Sequence, residues 1–341
     1  MEKWTGQQRK LKKERRKGKP MIPYFLKEVD FGTVAFAGII FAFVLTCLLL
    51  AKCIKILPRD HGREFAHDGS LSAGKPRGAG FIFILVFVLT SIIFAKVNVE
   101  IAIYLILVVA AMLTGFLDDC AKNPWGEYKK GILDLIIAIM IAVTFLNFNS
   151  NTILIASVNK ELTINKIVFG ILVVILVWAS INVTNCSDGV DGLSGTLTII
   201  TLASIFVIDY VRKMDSRFSY LILIMIISIM AYLWFNATPS EMLMGDAGSR
   251  AMGLFIAIAI LKTGAPILYL LVAGVLIIDG GLGLVKVSLK RFLKISIMKN
   301  VRTPIHDHAR KNKGWSNTHV VYRFSIIQIL LCVIAVYLVW K

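Results

Sequence analysis

Apolar residues run along this chain in ten long stretches separated by short polar breaks, at 31–53, 79–95, 100–117, 131–149, 164–181, 193–210, 218–235, 250–262, 265–285 and 324–340. A stretch of about 18 apolar residues crosses a bilayer core as helix. The pattern therefore predicts an all-α, polytopic integral membrane protein of about ten transmembrane helices. The eighth stretch is short, and the ninth is interrupted by "DGG" around Asp279. No apolar run precedes residue 31, so residues 1–30 read as a basic tail and no cleavable signal peptide is expected. Residues 31–341 read as one transmembrane domain with no separate soluble unit.

Composition agrees with the pattern: 57% of the 341 residues are hydrophobic and 17% are charged, with a mean hydropathy of +0.75. The five cysteines are scattered and form no CxxC pair, which argues against a disulfide framework and against a zinc site.

The polar breaks are not equivalent. "HGREFAHDGSLSAGKPRGAG" follows the first span, "DDCAKNPWGEYKK" the third, "NVTNCSDGVDG" the fifth and "FNATPSEMLMGDAGSR" the seventh. The longest, "KVSLKRFLKISIMKNVRTPIHDHARKNKGWSNTHVVYRF", follows the ninth. All five therefore emerge on one face, where they can assemble one aqueous site. The even-numbered breaks, such as "KVNVE" and "KTGAP", are short and carry nothing comparable. The motif-bearing loops hold about nineteen Lys and Arg against about eight on the other face, which places the motifs in the cytoplasm. The ten basic residues of the tail fall on the opposite side by this count and run against the same rule.

The carboxylates in these loops, Asp118, Asp119, Asp188, Asp191 and Asp246, are interleaved with Lys75, Arg77, Lys122, Lys129, Lys130, His306 and His308. Mixed charge of this kind suits a metal ion together with phosphate. Oxygen ligands with few imidazoles favour Mg²⁺ or Mn²⁺. Asp118 and Asp119 also end a membrane helix whose C-terminus already carries partial negative charge, so they call for a cation.

Bland readings exist for each feature singly. A lone aspartate at a helix end is usually a solvated cap, the glycines of "DGVDGLSG" allow close helix packing, and His61 and His67 read as ordinary loop residues. "KVSLKRFLKISIM" reads as an interfacial amphipathic helix. Five polar clusters of one parity are nevertheless hard to explain as independent caps. An ion-coupled transporter is the second class, but such proteins place sites near the bilayer midplane between inverted repeats, and no internal repeat is visible here. The net charge of +17 suits anionic lipid as well as nucleic acid, and no nucleic-acid partner is expected.

"DDCAK", "NVTNCSDGVDGL", "MGDAGS" and "TPIHDHARKNKGW", in that order on alternate loops, resemble the polyprenyl-phosphate sugar-1-phosphate transferase superfamily. Within it they are most similar to the bacterial phospho-N-acetylmuramoyl-pentapeptide transferases. The resemblance spans nearly all of the chain beyond residue 31. It implies a Mg²⁺-dependent transfer, at the cytoplasmic face of the bacterial cytoplasmic membrane, of phospho-MurNAc-pentapeptide from UDP-MurNAc-pentapeptide to undecaprenyl phosphate. Lipid I and UMP would be the products. The resemblance further implies a homodimer, contact with membrane lipid and sensitivity to nucleoside-type inhibitors.

Carried over residue by residue, Asp246 and Asn185 approach the metal, and Asp118, Asp119, Asp246 and His306 form the catalytic set. Asp188 and Asp191 orient the nucleotide, Asn236 lies beside the nucleoside, and Lys122 and Lys129 neutralise phosphate oxygens. Asn182, Lys75, Arg77, Asp307 and His308 complete the substrate-binding set, and His306 meets the pyrophosphate or sugar. Asp118 is expected to take any remaining proton from the lipid phosphate, with Asp119 organising the metal-phosphate network. Two departures stand out. The family's three-histidine run is His306-Asp307-His308 here, and "SAGKPRGAG" replaces a threonine-rich pattern. A transferase using UDP-GlcNAc or another UDP-HexNAc is the alternative.

Overall fold

The computed structural model describes residues 30–60, 62, 72–121, 123, 125–214 and 216–341. Residues 1–29 of the basic tail, His61, His67 and Lys122 lie outside the described residues.

Helices cover all ten predicted stretches: α1 (Phe31–Cys53), α2 (Ala79–Phe94), α3 (Val99–Asp119), α4 (Glu127–Phe148), α5 (Lys166–Cys186), α6 (Leu193–Val211), α7 (Ser216–Asn236), α8 (Gly245–Lys262), the pair α9 (Pro266–Val272) and α10 (Gly274–Phe292), and α12 (Asn317–Trp340). A short helix α11 (Ile305–Lys313) lies in the last loop. Among the described residues, seven helices are long and apolar enough to cross a membrane, or eight if the bent pair α9 and α10 is one span. The protein is thus an all-α polytopic membrane protein.

The other two stretches explain themselves. α2 has only 16 residues. α8 carries Asp246, Arg250 and Lys262, and every one of its residues is buried. It is the central helix, packed against α2, α3, α5 and α6. Small residues let its neighbours approach: a Cβ on Gly80 would stand 2.0 Å from Gly248 N, and one on Gly115 2.4 Å from Asp246 O. A helix shielded from lipid on all sides can hold charges that a lipid-facing helix cannot.

Helix starts follow local chemistry. Asp30 caps α1 by accepting from Gly32 N (2.6 Å) and Thr33 N (3.1 Å), and Asn98 caps α3 through Ile101 N (2.8 Å). α8 begins at Gly245, five residues before the predicted stretch, so that Asp246 falls in its first turn. α9 and α10 meet at 72°, and a π-turn over Ile277–Gly281 contains the interrupting "DGG". Gly280 lies against α5, where a Cβ would stand 2.3 Å from Val183 O.

Two local expectations change. The even-numbered break between α4 and α5 holds an antiparallel hairpin, β1 (Thr152–Ile155) with β2 (Lys160–Thr163), joined to the end of α8 by Leu154 N donating to Gly264 O (2.8 Å). The positive φ of Asn159 (49°), a residue type that tolerates the left-handed region, accommodates the turn. In "KVSLKRFLKISIM" helix stops at Phe292. Beyond it Lys294 and Met298 take positive φ, 59° and 47°, and Ile295, Ser296 and Ile297 are weak helix formers. The amphipathic element is therefore the exposed end of α10 rather than a separate interfacial helix.

Candidate active site

Two helix ends meet at the centre of the motif-bearing face. The side chain of Asp119, the last residue of α3, accepts from Asp246 N (3.1 Å) and Ala247 N (3.2 Å) in the first turn of α8. The negative end of one helix thus faces the positive end of another. Gly245 permits this contact: its φ is +70°, and a Cβ there would lie 2.2 Å from Asp119 Oδ2.

Two cations stitch the carboxylates together. Arg77 reaches Asp119 through Nε (2.8 Å), Asp60 through Nη1 (2.9 Å) and Asp246 through Nη2 (3.2 Å). Burial of the guanidinium works against its charge, and Asp119, Asp246 and Asp60 more than offset this, so its pKa is held above the ordinary arginine value. Lys130 bridges Asp246 (2.9 Å) and Asp118, while Asp118 also accepts from Trp125 N (2.6 Å). These contacts gather four carboxylates with buried side chains around two cations.

Loops on the same face fix the surroundings. Leu243 N donates to Pro76 O (2.8 Å) and Gly80 N to Met244 O (3.0 Å), which joins the first loop to the seventh. Asn236 is buried and spends its amide inside the protein, accepting from Gly192 N and donating to Met242 O, both at 2.8 Å. Asp191 accepts from Ser240 N (3.2 Å) and lies 4.0 Å from Lys75 Nζ, which itself donates to Ser240 Oγ (3.0 Å). Asp188 is tied into the same loop through its N–H to Asn185 O (3.2 Å). Asn185 donates to Ser249 Oγ (2.9 Å), one helical turn from Asp246.

His306 is buried. Its backbone N–H donates to Asp279 Oδ1 (2.7 Å), and its ring Nδ1 lies 2.8 Å from Asp279 Oδ2. The opposite edge of the ring abuts Gly189, where a Cβ would come within 2.3 Å of Nε2. Asp307 pairs with Arg310 Nη2 (2.7 Å), and the same nitrogen donates to Gly189 O (3.1 Å). The aspartate within the His-Asp-His run thus holds an arginine that in turn holds the "DGVDG" loop.

Three sequence-predicted residues stand apart from these groups. Lys129 lays its Nζ over the Trp125 ring, 3.3 Å from the centroid. Asn182 donates to Trp178 O (2.8 Å) and reaches Asp134 Oδ2 at 3.4 Å. His308 accepts the Arg302 N–H at Nδ1 (3.4 Å).

Conversely, the structure gives a bridging role to Lys130, which the sequence placed among the loop cations without one, and adds residues that the sequence reading of the site lacks: Asp60, Asp279, and the buried pair Asp134 and Arg250, one turn below Lys130 and Asp246 on the same two helices. For Lys130 a signal existed. It stands four residues before Asp134, in line with the buried face formed by Ile137, Ile141 and Phe145, whereas Lys129 does not.

The donor set suits a hard divalent cation. Asp246, in the first turn of α8, and Asn185 of α5, bonded to Ser249 one turn further along α8, offer oxygen ligands, and their surroundings carry more carboxylates than cations. Among the described residues no three His, Cys, Asp or Glu converge as a ready-made metal cage. Mg²⁺ needs none, because it binds through one or two carboxylates with waters and substrate phosphates.

Comparison with known proteins places this geometry. A profile of the family described as "Glycosyl transferase family 4" matches residues 101–264. The phospho-N-acetylmuramoyl-pentapeptide-transferase of Treponema pallidum (strain Nichols) is 39% identical over 323 residues, covering 89% of this chain and 88% of that protein. Proteins of the same name from Rickettsia felis and from Clostridium botulinum (strain Alaska E43 / Type E3) are 30% and 28% identical, over 85% and 91% of this chain and 87% and 97% of theirs. With that identity running nearly end to end, the chain belongs to the phospho-N-acetylmuramoyl-pentapeptide-transferase family.

Proposed function

We propose that this protein transfers phospho-MurNAc-pentapeptide from UDP-MurNAc-pentapeptide to undecaprenyl phosphate in the bacterial cytoplasmic membrane, giving lipid I and UMP. The observation that carries the reading is the cluster of Asp118, Asp119 and Asp246 with Arg77 and Lys130, buried where the ends of α3, α4 and α8 meet. A phosphoryl group passing from a soluble nucleotide to a lipid phosphate needs catalytic charges where water meets acyl chain. Helix ends on one membrane face supply that place.

Transfer of this kind rests on positioning and charge neutralisation. Mg²⁺, held by Asp246 with Asn185, would neutralise the pyrophosphate and the departing UMP. Arg77 and Lys130 fix the orientation of the carboxylates, and Lys75 extends the positive edge of the site toward Asp191. Asp118 accepts any remaining proton of the acceptor phosphate. Asp119, tied to the N-terminus of α8, keeps Asp246 in place. Undecaprenyl phosphate is itself an oxyanion at neutral pH, so a single displacement suffices. The same reading includes cytoplasmic orientation of the site, a homodimer and competition by nucleoside-type inhibitors.

The test is incubation of purified protein with undecaprenyl phosphate and radiolabelled UDP-sugars. Label reaching lipid from UDP-MurNAc-pentapeptide, with release of UMP, is the expected result. Label reaching lipid from UDP-GlcNAc alone would move the protein to the alternative substrate, and no labelled lipid from any UDP-sugar would overturn the transferase reading.

A further inference from the structure

Asp279 is a carboxylate inside the ninth apolar stretch, and it is fully buried. In a membrane helix such a group is costly and calls for a partner and a purpose. Among the described residues its hydrogen-bond partner is His306, contacted twice: Asp279 Oδ1 accepts the His306 backbone N–H (2.7 Å) and Oδ2 meets ring Nδ1 (2.8 Å). The double contact fixes both the position of the loop and the rotation of the ring. Local backbone is shaped to deliver it. Asp279 lies within the π-turn over Ile277–Gly281, and Gly280 lets this turn press against Val183 of α5.

The far edge of the ring faces the "DGVDG" loop. Nε2 stands where a side chain at residue 189 would be, and 3.9 Å from Asp307 Oδ1. Gly189 is flanked by Asp188 and lies two residues before Asp191. Whatever proton Nε2 carries is therefore presented to the segment that also holds Asn185.

We infer that Asp279 is a positioning residue, which holds His306 as the Nδ1–H tautomer and so presents an unprotonated Nε2 to the Gly189 loop. A carboxylate accepting from one ring nitrogen fixes which nitrogen keeps the proton, an orienting arrangement known from metal-bound and catalytic imidazoles. Asp279 touches no substrate in this account and acts only through His306. The functional half of the inference rests on the proposed transfer reaction.

The experiment reads the proton directly. The chain has five histidines, so long-range ¹H–¹⁵N correlation on detergent-solubilised, ¹⁵N-histidine-labelled protein resolves each ring, with His306→Gln assigning the signal. The expected native state is Nδ1–H with bare Nε2. In Asp279→Asn, which keeps size and one acceptor, the amide donates to Nδ1 and the proton moves to Nε2. Turnover should then fall by about 10- to 100-fold with little change in KM, the usual cost of losing such a partner.

A native ring protonated on Nε2 overturns the inference without any variant having to fold. A switched tautomer with unchanged kcat overturns the functional half. Failure of the native protein to transfer phosphosugar, with an Nδ1–H ring intact, would strike the transferase reading and leave the tautomer assignment standing.

Discussion

Lys129 and Lys130 are neighbours in sequence and opposites in structure, so truncating each in turn separates the charge network from ordinary surface charge. Lys130 Nζ contacts Asp118 and Asp246, whose side chains are 4% and 6% exposed, while its own is 27% exposed. Removing one partner of a buried pair typically costs about 3–5 kcal/mol, because the remaining charge is left without compensation. Two effects reduce that figure here: water reaches the ammonium, and Arg77 continues to neutralise Asp246. Lys130→Met should therefore destabilise the fold by about 2–4 kcal/mol. Lys129 instead sits over an aromatic ring, and a contact of that type at an exposed site is worth about 0.5–1 kcal/mol.

The assay pairs thermal unfolding in detergent with steady-state transfer to undecaprenyl phosphate. Lys130→Met should lower the unfolding midpoint well below that of Lys129→Met. Its turnover should fall by about 30- to 1000-fold, the rate equivalent of 2–4 kcal/mol if the lost compensation is felt in full at the reacting phosphates. Lys130→Arg should recover part of both. Equal and small losses in the two methionine variants would refute the bridging role of Lys130. A large loss confined to Lys129→Met would restore the expectation drawn from sequence alone.

Gly245→Ala should reduce stability and activity together, because a Cβ at φ +70° would push Asp119 off the N-terminus of α8; strain near 1–2 kcal/mol is expected from the backbone alone, and wild-type unfolding and turnover would refute it. Asp307→Ala should weaken turnover by releasing Arg310 from one partner, whereas Asp307→Asn, which retains an acceptor, should keep most of it; identical kinetics in both would remove any role for this contact. EDTA should abolish transfer and Mg²⁺ restore it, and full activity after exhaustive chelation would sink the metal assignment. Without lipid acceptor the protein should release no burst of UMP equal to its own concentration, while a burst with label trapped on Asp118 or Asp119 would establish a covalent route.

What could be read from the sequence was what depends on bulk hydrophobicity and on loop parity. Ten apolar stretches locate ten helical regions because lipid leaves the backbone no alternative to helix. The alternation of polar clusters puts Arg77, Asp118, Asp119 and Asp246 on one face, where the structure joins Arg77, Asp119 and Asp246 within hydrogen-bond distance and links Asp118 to Asp246 through Lys130. Hydropathy could not tell a helix that crosses lipid from α8, which is apolar because it is surrounded by protein. Nor could residue type alone tell Lys129 from Lys130. That distinction lives in helical phase, and it appears only when the α4 pattern is extended back through Asp134. Asp279 was visible as an interruption, but its partner lies 27 residues away.

The pair of aspartates at the end of α3 shows how these levels combine. Two anions at a helix C-terminus are unfavourable in isolation. The chain resolves the conflict with three separate sources of positive charge: the backbone N–H groups that open α8, the guanidinium of Arg77 and the ammonium of Lys130. The division of labour that results is asymmetric. Asp119 has no exposed side-chain surface and is engaged by two N–H groups and Arg77 Nε, so attack on an incoming phosphate from that carboxylate would require dismantling the junction between α3 and α8. Asp118 is engaged by Lys130 and Trp125 N, and only one of these, the lysine, is a flexible side chain able to turn toward a phosphate. The geometry therefore favours Asp119 as the fixed member and Asp118 as the one able to exchange a partner for substrate. A direct displacement by the lipid phosphate needs no more than that.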